Sequence, residues 1–289
     1  MDIATALAEA TRRLADSSDS ARVDAEVLLM HRLAKGREFL HAWPEAELKP
    51  DDRAGFDALI ERRAAGEPVA YLTGERGFWT LTLRVTPATL IPRPETELLV
   101  ERALQLIPPD APWRVADLGT GSGAVALAIA SERPACRIVA TDRSAAALAV
   151  AADNGARLGI GNVEFRHGSW LEPLAGESFD MIVSNPPYVA ERDPHLSRGD
   201  LRFEPVAALA AGADGLDAIR AIAAGAPATL AAGGALLLEH GFDQGDAVRG
   251  ILTAGRFAEA TSWRDGAGLE RVTGGILNAG HPDTWRRVV

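Results

Sequence analysis

The sequence predicts an α/β protein: a doubly wound, mostly parallel sheet preceded by a small helical bundle. Three observations predict it. From Trp113 onward, short apolar runs alternate with Ala-rich helical stretches, the pattern of crossovers that lays strands parallel. The first of these strands runs into Gly119-Thr120-Gly121-Ser122-Gly123 and then a helix, the place where an open parallel sheet takes its ligands. The residues before Gly74 carry helical periodicity instead, and short amphipathic helices need a common core.

In chain order, Ile3, Leu7 and Leu14 share one helical face, Val23, Val27 and Met30 another, and Phe56, Leu59, Ile60 and the Arg63 stem a third. Turn-forming stretches at 16–20, 43–44 and 49–52 separate them, and Asp51 and Asp52 are expected to cap the helix that follows. These helices define a predicted substrate-docking domain over residues 1–73. Residues 78–85 alternate like a strand, and the stiff Pro92-Arg93-Pro94 follows, so residues 74–94 are expected to form a hairpin or extended connector. The third region, 95–289, opens with a helix over 95–107. Strands are then expected at 114–118, 137–141, 163–166, 179–184, 234–239, 258–264 and 270–277. Helices are expected at 124–132, 145–158, 216–231 and 245–254.

Composition narrows the function. The 289 residues are 47% hydrophobic and 24% charged, with a formal net charge of −10. A protein built to grip phosphates usually has the opposite sign, so no nucleic-acid partner is expected. The single cysteine, Cys136, excludes an intrachain disulfide. Neither a basic-then-apolar leader nor a run of roughly twenty apolar residues is seen. These features predict a cytoplasmic protein away from membranes; a monomer and no metal-ligand cluster are expected alongside.

Two constellations carry chemistry. The spacing Gly-x-Gly-x-Gly departs from the dinucleotide fingerprint and argues against a pyrophosphate cradle. Asp117 beside the glycines can meet a cationic amine, and Asp142, ending the next strand, can accept from both hydroxyls of a ribose. An amine joined to a ribose describes S-adenosyl-L-methionine. Trp170, after a third strand, either walls an adenine or packs at a domain edge. His167 is expected to be structural.

Asn185-Pro186-Pro187-Tyr188 follows the strand 179–184. Its prolines stiffen the chain and remove two N–H donors, leaving an acceptor-rich turn suited to a planar NH2 group. An amide nitrogen is a weak nucleophile. The Asn185 oxygen and the Pro186 carbonyl can each take one N–H and align the nitrogen for attack, while Tyr188 packs on the amide. An exocyclic adenine amine would fit the same turn, and a cofactor-binding protein without activity would not need it.

With those residues in place, the chain resembles the class I S-adenosylmethionine-dependent methyltransferases that carry Asn-Pro-Pro-Tyr. It is most similar to the release-factor glutamine methyltransferases, the PrmC or HemK family. The likeness runs through Ile91–Glu97, Asp117–Gly123, Ser184–Tyr188, Asp193–Leu196, Arg202–Pro205 and Leu238–Gly241. The resemblance implies N5-methylation of the glutamine in the Gly-Gly-Gln motif of class 1 peptide-chain release factors. It also implies S-adenosyl-L-homocysteine as the product. By that likeness Gly119–Gly123, Asp142, Trp170 and Asn185 contact the cofactor, and Asn185, Pro186, Pro187 and Tyr188 hold the glutamine. Ser169 stands where the family often has an Asp, which leaves open the adenine contact that such an Asp would make. Arg93 and Glu95 either shape the substrate entrance or begin the next helix. Residues 191–205 either cover the substrate or form a surface loop. His240 is expected to be a hydrogen-bonded histidine at a strand end.

Overall fold

The computed structural model describes residues 1–197 and 199–278; residues 279–289 of the predicted last domain lie outside them. Met1–Glu75 with Ser197–Phe203 forms one compact unit, and residues 76–196 with 204–278 form the other.

The first unit contains α1 (Ile3–Leu14), α2 (Ala21–Leu33), α3 (Arg37–Ala42), α4 (Pro50–Ala64) and α5 (Val69–Thr73). α1 buries Ile3, Leu7 and Leu14, and the Asp2 side chain accepts the Thr5 N–H at 2.7 Å to cap it. α2 turns a different face inward from the expected one. Asp24, Ala25, Glu26, Leu28 and Leu29 are buried, while Val23 is 52% exposed. The reason is pairing. Asp24 accepts from Arg63 Nε at 2.7 Å and from the hydroxyls of Ser18 and Ser20, and Glu26 pairs with Arg22 and Arg37. Carboxylates that keep such partners can be buried, so apolar spacing alone misjudged the face. α4 starts at Pro50 with Lys49 as its cap residue. Asp51 and Asp52 therefore sit inside the first turn, where they favour the positive helix end rather than cap it.

In the second unit, the run read as one strand over 78–85 breaks into a hairpin, β1 (Glu75–Phe78) and β2 (Leu81–Arg84). Trp79 makes the turn in the left-handed region at φ 55°. A 3-10 turn at Pro94–Thr96 leads into α6 (Glu97–Leu106). The large sheet holds β3 (Arg114–Leu118), β4 (Arg137–Asp142), β5 (Val163–His167), β6 (Phe179–Ser184), β7 (Leu230–Glu239), β8 (Phe257–Arg264) and β9 (Glu270–Leu277). Their order is β5-β4-β3-β6-β7-β9-β8. β5 to β7 run parallel, and β9 is antiparallel to both β7 and β8.

Helices α7 (Ala124–Glu132), α8 (Ala145–Leu158), α9 (Asp217–Gly225) and α10 (Gly245–Ala254) complete the unit. Two apolar cores form, and β6 feeds both by strand alternation: Met181 and Val183 enter one, Ile182 the other. The helix expected over 216–231 ends at Gly225, because Pro227 brings in a 3-10 turn, and β7 begins at Leu230, earlier than the apolar run suggested. Within 191–205 the chain forms 3-10 turns at Pro194–Ser197 and Gly199–Phe203.

Candidate active site at the carboxyl edge of the sheet

β3 lies between β4 and β6 in the sheet, so the chain crosses over in opposite directions from it and opens a crevice at its carboxyl end. Leu118 and Ser184 are register partners at the ends of β3 and β6, and the Ser184 hydroxyl donates to the Leu118 carbonyl at 2.7 Å. That bond clamps the glycine turn beside the Asn-Pro-Pro-Tyr turn. One cavity is lined by both: Asp117, Gly119, Thr120, Gly121 and Ser122 from the first, Asn185 and Pro187 from the second. Asp142 and Trp170 line it from the ends of neighbouring elements.

The glycine turn hangs on β4. The N–H groups of Gly119 and Thr120 both donate to the Thr141 carbonyl, at 2.8 and 3.0 Å. Gly119 has φ +72°, and a Cβ there would meet the Trp170 ring at 3.1 Å, so the indole lies against bare backbone. Trp170 itself is held at φ 47°, a conformation that strains a bulky residue, and its carbonyl accepts the Thr141 hydroxyl at 2.9 Å. Gly123 does not line the cavity. At φ +85°, a Cβ there would come within 2.9 Å of Leu127 and 3.2 Å of Ala151, so it allows α7 and α8 to pack.

Asp142 accepts the Gly121 N–H on one oxygen at 2.9 Å and the Ser144 N–H on the other at 2.8 Å. Each carboxylate oxygen has a second lone pair for a ligand hydroxyl. Asp117 is 2% exposed. The Thr120 hydroxyl and the Ala126 N–H both bond its Oδ2, at 2.6 and 3.2 Å. Burial, reinforced by the charge on Asp142, pushes its carboxyl up to about 7 against those donors. A buried carboxylate of this kind lacks a counter-ion, and a ligand ammonium in the cavity would supply one. The donor set thus fits an amino-acid nucleoside: an anion for an amine, a doubly anchored carboxylate for a ribose and an indole wall for a base.

On the other side, Asn185 Nδ2 donates to the Thr96 hydroxyl oxygen at 3.1 Å, and Pro186 is buried. The Tyr188 hydroxyl donates to Glu239 Oε1 at 3.3 Å, and its carbonyl accepts from Gln244 Nε2 at 3.0 Å. Burial, with Glu239 beside it, raises the Tyr188 phenol above its usual range. Arg93 and Glu95 are placed apart from the cavity lining. Arg93 pairs with the buried Glu204, which also accepts the Ile91 N–H at 2.9 Å. That anchor precedes Pro205, Ala207 and Ala208, which line the cavity. Glu95 is exposed and belongs to a separate surface cleft with Trp79 and Arg102. His240 is fully buried, bonded to the Gly241 carbonyl and the Thr273 hydroxyl, and burial lowers its pKa.

Sequence reasoning did not single out Thr96, Asn154 or Glu204. Asn154 is fully buried; its Nδ2 donates to the Ser122 carbonyl at 2.9 Å and to the Arg84 carbonyl at 3.0 Å, and its Oδ1 accepts the Arg84 N–H at 2.7 Å. It ties β2 to the glycine turn. One signal was available: a lone Asn in an Ala-rich helix. Thr96 sat in plain view inside the Pro-Arg-Pro-Glu-Thr-Glu run.

Among the described residues no helix is long and apolar enough to cross a membrane, and no group of His, Cys, Asp and Glu is arranged to hold a metal.

Two family models match the chain: the PrmC N-terminal domain over residues 5–74 and the methyltransferase small domain over residues 95–200. The chain is 57% identical to a release factor glutamine methyltransferase of Xylella fastidiosa, over 93% of this chain and 96% of that one. It is 49% identical to the release factor glutamine methyltransferase of Escherichia coli, over 92% and 96%. A methyltransferase structure from Pyrococcus furiosus shares the fold, with a TM-score of 0.52 at 16% identity over 77% of this chain and 98% of that one. At 57% and 49% identity to those two relatives, over nearly the whole length of both chains, the chain belongs to the release factor glutamine methyltransferase family.

Proposed function

We propose that the protein transfers a methyl group from S-adenosyl-L-methionine to the side-chain amide nitrogen of the glutamine in the Gly-Gly-Gln motif of class 1 release factors. The observation that carries the reading is the Ser184–Leu118 clamp, which sets a cation- and ribose-binding turn beside an uncharged acceptor turn on one cavity. Asp117, Asp142, Trp170 and the turn Gly119–Ser122 hold the cofactor. When bound, it supplies an activated methyl on a sulfonium and leaves as S-adenosyl-L-homocysteine. Asn185 Oδ1 and the Pro186 carbonyl each accept an N–H of the glutamine amide, which fixes the nitrogen's direction of approach. The same acceptors stabilise the positive charge that develops there as the new bond forms, and the proton then passes to solvent. No strong base is required. Pro187 keeps the turn extended, and the Tyr188 hydroxyl is held by Glu239.

The test is incubation with methyl-labelled cofactor and purified release factor, followed by peptide mapping. Label on the glutamine of Gly-Gly-Gln is the expected result. Label only on DNA or on a ribosomal protein, or none at all, would defeat the reading.

A further inference from the structure

The direction in which Asn185 points its amide is a chemical problem that the turn alone does not solve. A carboxamide has an acceptor end and a donor end of nearly the same shape. Only the acceptor end can receive the N–H of a substrate amide. A flipped Asn185 would present NH2 to NH2 and repel the substrate.

The surroundings supply an answer. Asn185 Nδ2 lies 3.1 Å from Thr96 Oγ1, and Thr96 is 3% exposed. A hydroxyl has one proton and can either donate to Asn185 or accept from it. Its role is set by where that proton goes. Glu239 lies on the same side, 1% exposed, at the end of β7. Its Oε1 takes the Tyr188 hydroxyl. Its Oε2 is buried without a hydrogen-bond partner among the described residues, which is costly for a carboxylate oxygen. Ser184 and Leu238 are register partners at the ends of β6 and β7, so Glu239 follows beside the strand end that leads into Asn185, the residue bonded to Thr96. One group needs a donor and the other needs somewhere to send its proton.

We propose that Thr96 and Glu239 are positioning residues for the transfer: Glu239 takes the Thr96 proton, Thr96 can then only accept from Asn185, and the Asn185 oxygen is thereby locked toward the substrate nitrogen. This rests on the methyl-transfer reading above and extends it to Thr96, on the wall of the same cavity, and to Glu239 behind it.

The lock has a polarity that depends on the charge of Glu239. Burial pushes its carboxyl up to about 7; Thr96, Tyr188 and Arg271 oppose the rise and Glu95 adds to it. Ionised Glu239 can only accept. Protonated Glu239 can donate to Thr96, which frees the Thr96 proton to turn toward Asn185 and favour the flipped amide. Turnover at saturating cofactor and substrate therefore falls as pH drops through about 7.

The experiment measures kcat against pH on a purified release factor for the wild type, Thr96→Val, Thr96→Ser and Glu239→Gln, with cofactor affinity measured in parallel. Thr96→Val keeps the shape and removes the hydroxyl. Its kcat is expected to fall at least tenfold with cofactor Kd within twofold, and Thr96→Ser to recover to within threefold of the wild type. Glu239→Gln, which has no carboxyl to titrate, is expected to lose the acidic limb. Thr96→Val within twofold of wild type, or no better turnover in Thr96→Ser than in Thr96→Val, overturns the proposal. Should Thr96→Val fail to fold, Glu239→Gln decides: wild-type kcat with an unchanged acidic limb overturns it. A wild-type protein that leaves the release factor unlabelled refutes the methyl-transfer reading instead, before any variant is compared.

Discussion

The two turns at the ends of β3 and β6 solve opposite problems at neighbouring positions of the same sheet. After β3, glycines bring backbone N–H groups and two carboxylates to the cavity: Gly121 feeds Asp142, and Asp117 sits buried behind Thr120. After β6, Pro186 and Pro187 lack N–H groups altogether, and no ionisable side chain of the Asn-Pro-Pro-Tyr turn lines the cavity. On the proposed reading, one side takes charge and hydroxyls while the other orients a neutral group by acceptor dipoles alone, which would make affinity and reactivity separable. Substitutions in the first turn should act on binding, and substitutions in the second on the rate.

The largest expected effect tests the second turn. Asn185→Ala should lower kcat by roughly 10²–10³-fold, the cost of removing one preorganised transition-state partner, while cofactor Kd by calorimetry changes by about threefold or less. Turnover near that of the wild type would break the division of labour. Next, Asp142→Ala should weaken cofactor binding by roughly 1–3 kcal/mol for a lost charge-assisted bond, again by calorimetry; unchanged affinity would remove Asp142 from the site.

Gly123→Ala serves as the contrast within the glycine turn. Gly123 supports packing and does not line the cavity, so the variant should lose about 1–2 kcal/mol of stability from its left-handed backbone. Thermal unfolding would show this, and an unshifted Tm would contradict it.

The smallest effect is a pH dependence of cofactor affinity. Asp117 titrates near 7 in the free protein because burial favours its neutral form, whereas a ligand ammonium is held by the ionised form. Protonation therefore opposes binding. Affinity should rise by roughly tenfold between pH 6 and pH 7.5, and the rise should vanish in Asp117→Asn. A wild-type affinity flat over that range would take the amine away from Asp117.

How legible all this was in the sequence depended on the range of the interaction. The strands Arg114–Leu118 and Phe179–Ser184 and the helices Ala124–Glu132 and Ala145–Leu158 follow directly from local apolar patterning. The boundary at Gly225 was missed because a 3-10 turn around Pro227 intervenes where Ala richness favoured helix. The buried face of α2 was missed because Asp24 pairs with Arg63 of α4, and Glu26 with Arg22 one turn back and Arg37 of α3, and periodicity counts only apolar residues.

The sequence by itself determined the chemistry on offer: glycines and carboxylates after one strand, a proline-stiffened acceptor turn after another, and a helical region ahead of them. Local patterning and turn geometry suffice for that, since each motif is written in consecutive residues. Only the tertiary structure decided which partners complete them. Thr96 meets Asn185 across 89 positions of sequence, Asn154 reaches Ser122 across 32, and Glu239 meets Tyr188 across 51. Such pairings arise when β6 docks between β3 and β7 and burial forces each polar group to find a partner, a constraint that exists only once the sheet has closed around them.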